Sequence, residues 1–256
     1  MVILIKSLFF RIYAKENKPT MRTNLLLKPK IIAFDADDTL WDNEPYFEEA
    51  EQRFIALMGD FLSKQSISQK LYDTQIKNLP LYGYGIKGYV LSMIESANEI
   101  VNGYLSNELY TSILNIGKDM LTQPVNLLEG VEETIHTIGK HYPVIVATKG
   151  DLKDQHRKLH ESGIGQLFHH IEVMIDKNKL DYQKMLKRLE INASEFLMIG
   201  NSLKSDILPV LELGGTAIHI PYHTTWAHER INHEIKHPNF HTLKNIADLP
   251  QLLDKL

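Results

Sequence analysis

Cysteine is missing from all 256 residues, and that omission excludes a disulfide scaffold, a thiolate zinc site, an iron–sulfur centre and a cysteine nucleophile. Any chemistry must come from oxygen and nitrogen groups. An excess of positive charge is missing too. The 28 Lys plus Arg stand against 32 Asp plus Glu, a net charge of −4, so no chain-wide basic field exists to gather DNA or RNA. No stretch approaches the ~18 consecutive apolar residues that a membrane span requires. The opening MVILIKSLFFRIYAKENKPT carries a short apolar run with positive charge, but Lys6 interrupts it and no small-residue cleavage site follows. Residues 1–27 are therefore read as an N-terminal extension, and the protein as cytoplasmic with no membrane partner. What is present, 43% hydrophobic and 23% charged residues, suits a globular chain that buries a sizeable core.

Five short apolar runs ending in polar or glycine residues read as buried strands: 31–34, 143–147, 171–175, 196–199 and 216–220. Helical patterns at 151–162, 181–190 and 205–213 fall between the last four. Strands alternating with single helices need right-handed crossovers, so the expected class is α/β, a Rossmann-like parallel sheet sandwiched by helices. Between Asp35 and Thr148 lie about 110 residues, where a crossover of ~30 would suffice. Phe47, Phe54, Leu57, Met58 and Phe61 recur there at helical spacing, and 89–104 is a second helix-compatible stretch. The surplus reads as an inserted helical domain at 44–124, with 28–43 and 125–256 forming the core domain. Leu128, Val131, Ile135 and Ile138 then make one face of a core helix.

Ligands bind beyond the carboxyl ends of parallel strands, so those positions carry the functional reading. The first run ends in Asp35-Ala36-Asp37-Asp38, three carboxylates within four residues. Such crowding favours a hard cation such as Mg2+ or a retained proton, and Asp35 and Asp37 are spaced to face one pocket, one attacking while the other handles protons. Alone, the triplet is also the composition of a turn that caps the next helix. The second run ends in Thr148-Lys149-Gly150, a hydroxyl, backbone amides and a close-approach glycine ahead of a helix start, which suits an anion. The third is followed by Asp176-Lys177-Asn178-Lys179 and the fourth by Gly200-Asn201-Ser202-Leu203-Lys204-Ser205-Asp206. Together these ends hold the inventory for a phosphoryl group and Mg2+.

In this order the four segments resemble motifs I to IV of the haloacid dehalogenase-like (HAD) hydrolase superfamily, over a match running from about Lys28 to the C-terminus. The resemblance implies a HAD core with a helical C1 cap. It makes Asp35 the nucleophile that forms an aspartyl-phosphate, and Asp37 the group that protonates the leaving oxygen and then activates water. Phosphate contacts fall to Asp35, Thr148, Lys149 and Lys177, with Lys177 preferred over Lys179 for its distance to the next helix. Mg2+ would be held by the Asp35 carboxylate, the Asp37 backbone carbonyl and Asp206. Asn201 stands where many relatives carry a second acid, and with Ser202 it would support the site. Dehalogenases of this superfamily lack an acid at the position of Asp37, so the expected activity is hydrolysis of a small phosphomonoester. A phosphosugar mutase and a catalytically weak binding protein are the alternatives. The partner is a small phosphorylated metabolite, and the chain a monomer or homodimer. Tyr82-Gly83-Tyr84-Gly85 with Lys87 reads either as a loop facing substrate or as a glycine turn with packing tyrosines. Trp41 leans over substrate or packs the hinge. The histidines from His219 to His241 are too irregularly spaced to make a metal cluster.

Overall fold

The computed structural model describes residues 28–256, which places the expected N-terminal extension outside the described residues. Six strands form one sheet: β1 (Ile31–Phe34), β2 (Val144–Lys149), β3 (His170–Met174), β4 (Phe196–Gly200), β5 (Thr216–His219) and β6 (Phe240–Thr242). Their order is β3-β2-β1-β4-β5-β6, and every pairing is parallel. The two-residue period of a strand divides the sheet between two cores. Ile32, Phe34, Val144, Val146, Leu197 and Ile199 pack on one face, and Ala33, Ile145, Ala147 and Met198 on the other. Being apolar on both faces is what makes these runs continuous rather than alternating. Strand order reverses around β1, which opens a crevice beyond its carboxyl end.

Of the five helices between β1 and β2, four form the insert: α1 (Glu44–Met58), α2 (Lys64–Tyr82), α3 (Ile86–Ile100) and α4 (Asn107–Met120). They bury a core of their own from Phe54, Met58, Ile67, Leu71, Met93, Ile113 and Ile116, so the insert is a cap with its own packing. The hydroxyls of Ser63 and Ser106 accept from the N–H groups of Ser66 and Leu109, which starts α2 and α4. The rest of the chain adds α5 (Val131–Gly139), α6 (Leu152–Glu161), α7 (Lys179–Leu189), α8 (Leu208–Leu211) and α9 (Leu249–Leu253). No helix among the described residues is long and apolar enough to cross a membrane.

Several expectations need correction. The sheet has a sixth strand, three residues long, too short for a periodic signal. β2 extends through Lys149, so Thr148 and Lys149 sit on the strand end and not in the loop after it. The single helix expected over 205–213 is a π-helical turn, Leu203–Ile207, followed by the short α8. The Leu208 N–H reaches back five residues to the Leu203 carbonyl. Such widened turns recur at functional sites, and this one carries Asp206.

Candidate active site

The three carboxylates after β1 have three different environments. The Asp35 N–H donates to the Ile199 carbonyl at 2.8 Å, which fixes the residue against β4. Its carboxylate accepts from the Lys177 ammonium and, at 3.4 Å, from the Thr39 hydroxyl. Asp37 accepts from Trp41 Nε1 and Gln155 Nε2 at 2.8 Å and from Lys158 Nζ at 2.7 Å. Asp38 adopts φ 61° and accepts the N–H groups of Asn43 and Glu44 at 2.9 Å, so it caps α1 at the entry to the cap. The capping role that the triplet allowed thus falls to Asp38. Trp41, fully buried, packs into the core and orients Asp37 rather than covering the cavity.

From the other strand ends come Lys177, Asp206 and Thr148. Lys177, only 3% exposed, joins Asp35 to Asp206, its ammonium lying 2.7 Å from Asp206 Oδ1; Lys179 instead meets Glu212 on the surface at 3.7 Å. Asp206 is held by the Ser202 N–H on Oδ2 at 2.9 Å. Thr148 is buried, and among the described residues its hydroxyl makes only a long 3.4 Å bond to the Lys149 carbonyl, which leaves it available to a ligand. Asn201 ties the β4 loop to the β1 loop, its N–H donating to Thr39 Oγ1 at 3.1 Å. A Cβ on Gly200 would sit 2.2 Å from Asp206 Oδ2 and 2.4 Å from its Cγ, so only glycine lets that carboxylate lie against the strand end. Gly200→Ala should therefore displace Asp206 and lower turnover at least ~100-fold, an Å-scale misplacement of the kind that costs this much. Unchanged turnover would show that Asp206 need not sit there.

Burial and the nearby Asp206 push the Asp35 carboxyl up to about 7, against the opposing pull of Lys177. Burial also acts to raise Asp37, but Lys158 and the bonds from Lys158, Gln155 and Trp41 outweigh it and hold this carboxyl below its usual range. The two carboxyls are therefore shifted in opposite directions because their neighbours differ.

Sequence reasoning missed three residues here. Lys158 and Gln155 look like ordinary polar positions of α6, and nothing local marks them as partners of Asp37. Glu229 lies in a short 3-10 turn of the β5–β6 crossover. Its carboxylate accepts from Lys149 Nζ, Ser202 Oγ and Ser205 Oγ, each at 2.5 Å. Burial would raise this carboxyl, but Lys149 and the two serines pull it down to about 2. Lys149 lines the cavity with its ammonium already neutralised by Glu229 and 4.2 Å from the Tyr84 ring centre. Tyr84 comes from the cap, and its hydroxyl donates to Asp176 Oδ1 at 3.2 Å, while Lys87 pairs with Asp151 at 2.8 Å. The Tyr82–Gly85 segment thus lines the cavity and also fastens cap to core. Core and cap enclose a cavity of about 180 Å³ lined by Asp35, Asp37, Thr148, Lys177, Asn201, Ser202 and Asp206 on one side.

Comparison with known proteins identifies the family of this fold. A family profile described as haloacid dehalogenase-like hydrolase matches residues 29–214. No protein of curated function matches the chain. Among solved structures, a haloacid dehalogenase-like family hydrolase from Xanthomonas campestris is 35% identical, with a TM-score of 0.80 over 89% of this chain and 91% of its own. A 2-haloacid dehalogenase from Pseudomonas syringae is 21% identical, with a TM-score of 0.59 over 89% and 99%. The HAD-hydrolase YfnB from Bacillus subtilis, bound to magnesium, is 16% identical, with a TM-score of 0.61 over 89% and 99%. With the family profile spanning most of its length and a 35% identical structure aligned over nearly all of it, the chain belongs to the haloacid dehalogenase-like hydrolases.

Proposed function

We propose that the protein is a Mg2+-dependent phosphatase that hydrolyses a small phosphomonoester through an aspartyl-phosphate at Asp35. The observation that carries this reading is Asp37, a second carboxylate two residues beyond the nucleophile, lining the same cavity and seated among proton-bearing partners. Displacing a halide needs no proton donor, whereas expelling an alkoxide does. An Asp35 oxygen attacks phosphorus, the ester P–O bond breaks, and the leaving oxygen takes the proton carried by Asp37. The ionised Asp37 then takes a proton from water, whose oxygen attacks phosphorus and breaks the bond to Asp35, releasing inorganic phosphate and restoring both carboxyls. In the free protein Lys158 holds Asp37 ionised; an arriving phosphate dianion opposes that by like-charge repulsion and raises the carboxyl's proton affinity. Thr148 and Lys177 would bind the phosphoryl oxygens.

The residues fit a hard divalent ion. Asp35 and Asp206 set two buried carboxylates against the single Lys177 ammonium, and the Asp37 carbonyl accepts no hydrogen bond among the described residues. No three Asp, Glu or His side chains converge among the described residues, so two carboxylates, that carbonyl and Asn201 Oδ1 would be the donors. Mg2+ held there offsets the surplus negative charge and draws in phosphoryl oxygens. With only two charged donors the ion should exchange readily. Release of phosphate from an aryl phosphate and from a panel of phosphorylated metabolites should therefore fall to background with a chelator and return with Mg2+. Full activity without divalent metal would overturn the metal assignment, and isomer formation without phosphate release would identify a mutase instead.

A further inference from the structure

The cap side of the cavity has a charge character that phosphate chemistry does not call for. Glu44, Glu48 and Glu51 line it from α1, at the four- and three-residue steps that place side chains on one helix face. Among the described residues, the only lysines on the cavity wall are Lys149, Lys158 and Lys177 of the core, and each already contacts a carboxylate. The Glu44 carboxylate makes no hydrogen bond or ion pair among the described residues.

Two deeply buried polar side chains open onto the same wall without full partners. Asn78 is 2% exposed; its Nδ2 donates to Ser92 Oγ at 3.2 Å and Glu95 Oε2 at 3.1 Å, which leaves Oδ1 as an unused acceptor. Tyr89 is 5% exposed, and its hydroxyl makes no hydrogen bond among the described residues. Unused acceptors on side chains that face the cavity, beside glutamates with no cationic partner among the described residues (Glu51 accepts only from the Ser68 hydroxyl), suit a ligand rich in donors. Burial and the neighbouring Glu48 and Glu51 push the Glu44 carboxyl up to about 7, and Arg230 opposes the rise without forming an ion pair, so a cation here would relieve real repulsion.

We propose that the leaving group of the substrate carries an ammonium, received in the cap by Glu44, Glu51 and Asn78 Oδ1 with the Tyr89 hydroxyl beside them. This rests on the phosphatase reading for the other end of the molecule. An ammonium offers three donors and no acceptor, the complement of this wall; a neutral hydroxyl offers one donor and leaves the carboxylates uncompensated.

The test compares ω-aminoalkyl phosphates of two to four carbons with ω-hydroxyalkyl phosphates of the same length. Turnover is measured on the unaltered protein and binding by calorimetry on Asp35→Asn. The amino ester should be favoured tenfold or more at one chain length at least, in kcat/KM and in affinity, and Glu44→Gln or Glu51→Gln should bring that ratio towards one. No amino preference at any length overturns the ammonium assignment, even where every ester releases phosphate. Tighter binding of the amino esters with no phosphate released from any of them overturns the phosphatase reading and leaves the cap assignment standing.

Discussion

Replacing Asp35 with Asn is expected to abolish phosphate release, by ~10⁴-fold or more, while leaving the fold intact. An amide oxygen in that position cannot form the acyl phosphate, and none of the other carboxylates takes its place, because Asp37 and Asp38 are each committed to different partners. The stability of the variant tests the electrostatics separately. The folded protein holds the Asp35 proton up to about pH 7, whereas an ordinary aspartate releases it near 3.8. Proton uptake therefore favours the folded state at acid pH, and that contribution is lost as pH rises from 3.8 to about 7. Asn carries no charge and escapes the loss. In metal-free buffer the variant should be at least as stable as the parent at pH 8, and its relative advantage should shrink at pH 4, as read by urea denaturation. A variant clearly weaker at pH 8 would contradict the account of a strained, charge-crowded nucleophile. Retained turnover would remove Asp35 from the mechanism.

Lys177→Met should do the opposite, damaging the fold as well as the chemistry. Lys177 is the ammonium that both Asp35 and Asp206 contact, and burial of the lysine, which alone would lower its proton affinity, is outweighed by those two carboxylates. Taking one partner from a buried ion cluster leaves uncompensated charge and costs about 3–5 kcal/mol. Methionine fills the stem but not the charge, so the loss should appear in metal-free urea titrations at pH 8. It should shrink at lower pH as Asp35 takes up its proton, and shrink again with millimolar Mg2+. A loss below about 1 kcal/mol, or one independent of pH and metal, would mean that the cluster is better solvated than its burial implies.

The same residues show how far sequence reading reached. Asp35, Asp37 and Thr148 stand out because a parallel sheet exposes the residues just beyond its strands, a rule of topology that needs no coordinates, whereas Lys177 and Asp206 are singled out within their loops by the resemblance to the HAD motifs. The structure gathers the ends of β1, β2, β3 and β4 into one cavity, and Lys177 bridges Asp35 and Asp206 across 142 and 29 residues of sequence. The cap was less legible. Of its four helices, α1 and α3 show apolar periodicity, but the buried face of α2 reads Ile67, Leu71, Thr74, Asn78. Spacing is helical there and hydropathy is not, because that face ends on a polar cavity. Glu229 lies among loop residues with no spacing signal and reaches Lys149 only because the β5–β6 crossover passes over the β4 loop.

Local pattern in the chain was enough to determine the α/β class, the helical insertion and the strand ends where chemistry would gather, since apolar periodicity and turn composition act over a few residues. Only the tertiary structure decided that Lys158 belongs to Asp37, Lys149 to Glu229 and Lys177 to Asp206 as well as Asp35, and that the cap presents carboxylates to the cavity. Charge state depends on burial and on neighbours within a few ångströms, and those neighbours come from segments far apart in the chain.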